Sequence, residues 1–126
     1  MVENPANIPP VMMIVEDEEL VRAVVVEYFL EHGLNVVEAE NADKALAMLN
    51  CRSDVRLVFT DINMPGSMDG LALAREVNRR WPQMLIVLTS GRGGVPAAKI
   101  SEAGEFIPKP YDFESLAERI RTLLKG

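Results

Sequence analysis

Residues 11–19 read VMMIVEDEE: five consecutive apolar residues run directly into four acidic ones. Four further apolar runs follow along the chain, at about 34–39, 55–60, 84–89 and 105–108. None of them shows the apolar–polar alternation of a strand with one face in water. Each is therefore predicted to be a strand covered on both faces, as the strands of parallel sheets are.

Segments with the 3.6-residue periodicity of helices separate these runs. The first is predicted to bury two neighbouring rows of side chains: Leu20, Val24 and Tyr28, and Val21, Val25 and Phe29. Asn41 and Asp112 are predicted N-caps of the second and last helices. The third helix must end before Pro82. The fourth, between Gly91 and Gly104, is predicted to be short and mobile, because few residues remain for it.

This alternation of strands and helices predicts right-handed crossovers and a doubly wound parallel sheet with helices on both faces. Pro108 lies in the fifth strand and has no N–H to donate, so that strand is predicted to be at a sheet edge. Residues 1–9 are rich in proline and poor in apolar residues, which predicts a flexible lead-in to one domain over residues 10–126.

Composition narrows the class of protein. The chain has 126 residues and a net charge of −6, which disfavours binding to nucleic acid through phosphate contacts. No apolar run is long enough to cross a bilayer, and the first residues lack the basic and apolar regions of a secretory signal. The only cysteine, Cys51, cannot form an internal disulfide. These features predict a single-domain cytoplasmic protein without direct membrane contacts.

Polar residues follow the predicted strands at their carboxyl ends, where open α/β sheets bind ligands. The first strand runs into Glu16 and Asp17, the third into Asp61, the fourth into Thr89 and the fifth into Lys109. Crowded carboxylates repel one another, and Mg²⁺ would relieve that repulsion. Asp61 could then act as a nucleophile that forms an acyl phosphate, while Lys109 and Thr89 contact the phosphoryl oxygens.

Each of these residues also has a purely structural interpretation. Glu18 and Glu19 are best explained as the acidic first turn of a helix. Thr89 could belong to a turn, Lys109 could be a solvated lysine, and Asp61 could lie in a plain loop. The combination of four strand ends with four chemically complementary groups favours a functional site over these separate explanations.

Four segments resemble the motifs of receiver domains, the response-regulator modules of two-component signalling, in their chemotaxis-regulator-like form. They are VEDE at 15–18, TDINMPGSMDG at 60–70, LTSG at 88–91 and FIPKPY at 106–111. The similarity extends from about residue 10 to residue 126. It implies a flavodoxin-like (βα)₅ fold with a five-stranded parallel sheet in the order 2-1-3-4-5.

The resemblance also implies roles for residues at the strand ends. Asp61 corresponds to the aspartate that accepts the phosphoryl group. Asp17, Asp61 and the main-chain carbonyl of Asn63 would bind Mg²⁺, with Glu16 acting mostly through water. Lys109 corresponds to the lysine of the family's site.

Two further positions correspond to the switch residues of the family. Thr89 matches the switch hydroxyl, and Phe106 occupies the aromatic switch position, where a tyrosine is often found. Lys109 is expected to be followed by a cis bond to Pro110, since proline is the residue before which cis is least unfavourable. The loop MPGSMDG is one residue longer than the commonest version.

The function implied is that of a phosphorylation-dependent switch. A histidine kinase or a histidine phosphotransfer protein would supply the phosphoryl group, and the surface of residues 91–125 would then engage a downstream protein target. The protein would be a monomer or weak dimer that stands alone as a response regulator or is part of a longer chain. It would not be a turnover enzyme, although it would catalyse its own phosphorylation and dephosphorylation.

Two alternatives remain open from the residues. A Mg²⁺-dependent phosphohydrolase could use an aspartyl-phosphate intermediate, but it would need an acid two residues after the nucleophile, where this chain has Asn63. A phosphate-independent binding module on the same fold is the second alternative. The intact set of Glu16, Asp17, Asp61, Thr89 and Lys109 argues against it.

Overall fold

Strands and helices alternate throughout residues 10–91 and 97–125, the part of the chain that the computed structural model describes. The strands are β1 (Val11–Val15), β2 (Asn35–Ala39), β3 (Val55–Asp61), β4 (Leu85–Ser90) and β5 (Glu105–Pro108). The helices are α1 (Glu19–Glu31), α2 (Ala42–Cys51), α3 (Gly70–Arg80), α4 (Ala97–Ala103) and α5 (Phe113–Lys125). Every predicted strand is present, with each end within one residue of its predicted position.

The five strands form one parallel sheet in the order β2-β1-β3-β4-β5, which confirms the predicted order. β5 is an edge strand, as the proline at position 108 requires. The register aligns the carboxyl ends of the strands: Val15 pairs with Thr60, Asp61 with Thr89, and Ser90 with Pro108. The residues at the carboxyl ends of β1, β3 and β5 therefore lie on the same side of the sheet, where these strands end.

Alternate residues of the central strands feed two separate cores. On one face, side chains such as Met13 and Val58 pack with α2, α3 and α4. On the other face, Met12, Leu57 and Phe59 pack with α1 and α5. Both faces of β1 are buried throughout, which explains why its sequence shows no alternation.

Helix ends follow the local signals of the sequence. Asn41 and Asp112 accept a hydrogen bond from the amide three residues later, at 2.8 and 3.2 Å, so both predicted N-caps are confirmed. Asp69 caps α3 in the same way at 2.8 Å and was not predicted. Gly33, with a φ of +81°, follows the end of α1, where a side chain would be strained. α3 ends at Arg80, before Pro82 as predicted.

The prediction that α1 buries two rows of side chains is wrong for one of them. Val25 and Phe29 are buried against the sheet, but Leu20 is 82% exposed and Val24 is 55% exposed. Successive residues of a helix are about 100° apart, so a helix on a flat sheet can fully bury only one of two adjacent rows. Tyr28, the last residue of the outer row, is half-buried and packs against Phe113 of α5.

The fourth helix is short, as predicted, with seven residues. Its mobility stays a prediction. The predicted flexible lead-in over residues 1–9 falls outside the described residues. No helix within 10–91 and 97–125 combines the length and the apolar character needed to cross a membrane.

Candidate functional site

The carboxyl ends of the strands open into a cleft of about 700 Å³. Five of the predicted site residues line it: Glu16, Asp17, Asp61, Asn63 and Lys109. They come from three strand ends and are brought together by the register of the parallel sheet. Thr89 and Phe106 are not among the residues that line the cleft in the described part of the chain.

Asp61 is the last residue of β3, and both of its carboxylate oxygens are engaged. Oδ2 accepts a hydrogen bond from Nζ of Lys109 at 2.6 Å, and Oδ1 accepts one from the amide of Asn63 at 2.8 Å. A Cβ atom at Gly70 would lie 1.9 Å from the carbonyl oxygen of Asp61. The start of α3 can therefore approach the end of β3 this closely only because residue 70 is glycine.

Lys109 lies between the two buried carboxylates of the cleft. Its Nζ is 3.6 Å from Oε1 of Glu16 as well as 2.6 Å from Asp61. Burial lowers the pKa of Lys109, but the hydrogen bond and the charge of Asp61, helped by Glu16, outweigh it and raise the pKa above 10.5. Its amide donates to the carbonyl of Ser90 at 3.1 Å, which fixes the end of β5 to β4. The expected cis peptide bond to Pro110 is present.

Glu16 is buried at the end of β1, whereas Asp17, the next residue, is exposed at the mouth of the cleft. Burial raises the pKa of Glu16, and the negative charge of Asp61 raises it further. The amide of Glu18, which donates to Oε2 at 3.1 Å, and the charge of Lys109 counteract only part of this effect. The cleft thus holds more negative charge than its lysine neutralises.

Thr89 lies directly beside Asp61 in the sheet, because the two residues pair in the β3–β4 register. It is 3% exposed, and within the described residues its Oγ1 has no hydrogen-bond partner. A buried hydroxyl without a partner costs about 1–3 kcal/mol. Phe106 sits on the neighbouring strand β5, where it pairs with Leu88 and is 38% exposed. The two predicted switch residues therefore occupy adjacent strands, one inside the sheet and one at its surface.

The donor set of the cleft fits Mg²⁺. No group of three or more Asp, Glu, His or Cys side chains is placed to hold a metal in the described part of the chain. Mg²⁺ does not need such a cage, because it is usually bound through one or two carboxylates and keeps several waters. Asp17, Asp61 and Asn63 all line the cleft, so two carboxylates and one main-chain carbonyl could supply such a set, and the charge repulsion between Glu16 and Asp61 is what a dication would relieve.

The side chain of Asn63 was not predicted to take part in the site. Its Nδ2 donates to Oγ of Ser90 at 2.5 Å, which joins the loop after β3 to the end of β4. The sequence contained no signal for this contact, because the two residues are 27 positions apart. It links the residue two positions after Asp61 to the residue after Thr89.

An apolar groove of about 600 Å³ adjoins the cleft and was also not predicted. It is lined by Leu20, Val21, Val24, Val25, Gly91, Lys109, Pro110, Tyr111 and Phe113. Gly91 and Lys109 line both the groove and the cleft, so the two are continuous. Leu20 and Val24 of the outer row of α1, interpreted from its periodicity as core, form one wall of this groove together with Val21 and Val25.

Comparison with known proteins agrees with this architecture. The sequence profile of the response regulator receiver domain matches residues 12–121. The chain belongs to this family. The receiver domain of NtrX from Brucella abortus is 33% identical, with a TM-score of 0.82 over 91% of this chain and 98% of that one. The response regulator TrrA from Thermotoga maritima, solved in complex with Mg²⁺ and BeF, is 29% identical, with a TM-score of 0.82 over 90% and 98% of the two chains.

Among curated proteins, the DNA-binding transcriptional regulator NtrC from Salmonella typhimurium is 32% identical over 115 residues, which are 86% of this chain and 24% of NtrC. The chain spans less than half the length of the curated relatives that it matches. What the similarity shows is therefore a receiver domain of two-component signalling, a module that these relatives combine with further sequence.

Proposed function

We propose that this receiver domain, residues 10–126, takes a phosphoryl group on Asp61 from a phosphohistidine of a histidine kinase or a histidine phosphotransfer protein. The observation that carries the proposal is the 2.6 Å contact between Asp61 and Lys109 inside an acidic cleft. It supports the proposal because a carboxylate that could attack phosphorus and an ammonium that could bind phosphoryl oxygens are in direct contact. The product is a 4-aspartylphosphate, and the protein acts as a switch rather than a turnover enzyme.

In the transfer step, a carboxylate oxygen of Asp61 attacks phosphorus and forms an O–P bond while the P–N bond to the imidazole breaks. The electron pair stays on the imidazole nitrogen, which takes up a proton. The amide of Asn63 holds one oxygen of Asp61 in place, and the ammonium of Lys109 moves its hydrogen bond from Asp61 to the transferred group. Asp17, Asp61 and the carbonyl of Asn63, with Glu16 acting through water, would hold Mg²⁺, which would supply positive charge to neutralise the phosphoryl oxygens.

The proposed switch depends on Oγ1 of Thr89, which has no hydrogen-bond partner within the described residues. A phosphoryl oxygen on Asp61, its neighbour in register, supplies an acceptor for the buried Oγ1. Movement of Thr89 toward that oxygen frees space for Phe106 to leave its partly exposed position. The surface of residues 91–125 then changes its population of states and its affinity for a downstream protein target.

The apolar groove beside the cleft is the docking place that we assign to the phosphodonor protein. Its continuity with the cleft through Gly91 and Lys109 means that a partner seated there can reach Asp61. The exposed side chains of Leu20 and Val24 supply apolar area for such a contact. We further propose a cytoplasmic location, in keeping with the unpaired and exposed thiol of Cys51.

The test is phosphorylation of the purified chain by acetyl phosphate with Mg²⁺, followed by detection of an acid-stable, hydroxylamine-sensitive adduct. Asp61→Asn should abolish the adduct. Asp54→Asn is the matched control. Asp54 pairs with Arg52 just before the amino end of β3, whereas Asp61 lies at its carboxyl end, so this variant should be labelled like the parent. Equal labelling of the parent and the Asp61 variant would show that another group is the acceptor.

A further inference from the structure

We infer that Arg22, a residue of the first turns of α1, is a positioning residue for the acidic loop that follows β1. Its guanidinium forms two hydrogen bonds with different parts of the chain. Nη1 donates to the main-chain carbonyl of Glu16 at 2.8 Å, and Nε donates to Oε1 of Glu38 on β2 at 2.8 Å. The side chain is 15% exposed, which is unusually low for an arginine that pairs with a carboxylate at the surface.

The carbonyl that Arg22 holds belongs to the peptide between Glu16 and Asp17, the two acidic residues that directly follow β1. The amide of Glu16 bonds to the carbonyl of Ala39 on β2 at 3.2 Å, so the chain is still attached to β2 at this residue. Beyond that link the chain turns into α1, and the hydrogen bond from Arg22 fixes the orientation of the Glu16–Asp17 peptide. That orientation determines where the side chains of both acidic residues point.

Arg22 does not act on the reacting atoms directly. In the described part of the chain it is not among the residues that line the cleft. Glu38 anchors it from outside, because the β1–β2 register places Glu38 beside Ile14, one residue before β1 ends. The inference rests on the proposed function, since it assigns to Arg22 the placement of Asp17 for Mg²⁺.

Simple electrostatics and positioning predict opposite results when Arg22 is removed. Loss of a positive charge near an acidic cluster should strengthen the binding of a divalent cation. Loss of a hydrogen bond that orients a ligand-bearing loop should weaken it, by about tenfold for residues that support metal ligands. The sign of the change in Mg²⁺ affinity therefore distinguishes the two effects.

The experiment is a titration of the full chain with Mg²⁺ alone, followed by the amide chemical shifts of the cleft. Arg22→Gln should raise the Kd for Mg²⁺ about tenfold. Arg22→Lys should weaken binding as well, because one ammonium lacks the planar fork that joins the carbonyl to Glu38. Arg52→Gln is the matched control: it makes the same charge change in a two-bond pair with Asp54 away from the cleft, and its Kd should equal that of the parent.

An unchanged or lower Kd for Arg22→Gln overturns the inference, and so does full retention of affinity by Arg22→Lys. If Arg22→Gln does not fold, Arg22→Lys carries the test alone, because it keeps the charge and loses the planar fork, and an unchanged Kd then counts against the inference. A parent chain that takes up no Mg²⁺ refutes the proposed function together with this inference. A parent that binds Mg²⁺ and is phosphorylated, beside an unaffected Arg22 variant, refutes this inference alone.

Discussion

Replacing Thr89 by valine should make the protein more stable. Oγ1 of Thr89 is buried and, within the described residues, has no hydrogen-bond partner, so the folded state bears the desolvation cost of a hydroxyl without compensation. That cost is about 1–3 kcal/mol, and valine fills nearly the same volume without it. With a urea m-value of about 2 kcal/mol/M, the midpoint of unfolding should rise by roughly 0.5–1.5 M.

The neighbouring strand provides a matched control. Thr60 is equally buried, but its Oγ1 donates to the carbonyl of Asp61 at 3.1 Å. Thr60→Val removes a satisfied hydrogen bond and should lower the free energy of unfolding by about 0.5–1.5 kcal/mol. The two substitutions are chemically identical and lie on adjacent strands, so the opposite signs isolate the state of the hydroxyl.

The measurement is urea unfolding of the parent and both variants, followed by circular dichroism at one pH. If Thr89→Val lowers the midpoint as much as Thr60→Val does, the hydroxyl of Thr89 has a partner in solution and the reasoning is refuted. In that case the hydroxyl of Thr89 could not be a group that gains its first hydrogen-bond partner on phosphorylation.

Two further predictions concern the groove and the acidic pair. Val24→Asp should slow phosphoryl transfer from a histidine phosphotransfer protein about tenfold or more, because it places a charge in the apolar groove. The rate of phosphorylation by acetyl phosphate should stay the same. Equal slowing with both donors would show that the groove is not the docking site. The raised pKa of Glu16 means that the folded state holds this proton more tightly than the unfolded state, so stability falls as pH rises from 4.5 through the folded pKa. Glu16→Gln should remove this decline and make the chain more stable than the parent at pH 7, with the gain in stability vanishing below pH 4.5. The measurement is the urea midpoint of unfolding of both chains across this pH range, and equal midpoints at pH 7 would contradict the prediction.

The sequence contains enough information for the sheet and for most of the cleft, for identifiable physical reasons. The apolar runs mark the strands. The prediction that all of them are covered on both faces agrees with β1, β3 and β4, which are buried almost throughout, and is wrong for β2 and β5, which lie at the two margins of the sheet and are partly exposed. The proline at 108 restricts β5 to an edge. In a parallel sheet the carboxyl ends share one edge, so the residue after each run predicts what meets there. Asp17, Asp61 and Lys109 meet in this way although up to 92 positions separate them.

Contacts made by side chains across the fold were not predictable. The bonds from Arg22 to Glu38 and from Asn63 to Ser90 depend on the register of β1 with β2 and on the path of the loop after β3. Neither quantity follows from periodicity or local propensity. The caps show the contrast, because Asn41 bonds within its own first turn and could be predicted from four residues.

The error over α1 explains how that helix serves the site. Periodicity detects apolar rows, but it does not distinguish a row that faces the core from one that faces a partner. Val25 and Phe29 attach the helix to the sheet, Arg22 holds the acidic loop, and Leu20 with Val24 faces the groove. These residues lie at different angles around the axis of the same helix. A partner that binds the outer row would therefore contact the same helix whose Arg22 bonds to the Glu16–Asp17 peptide. Docking of the phosphodonor and placement of the Mg²⁺ ligands are therefore expected to be coupled through α1. Val24→Asp should leave the Mg²⁺ affinity of the isolated chain unchanged, but it should alter the Mg²⁺ affinity measured in the presence of the partner.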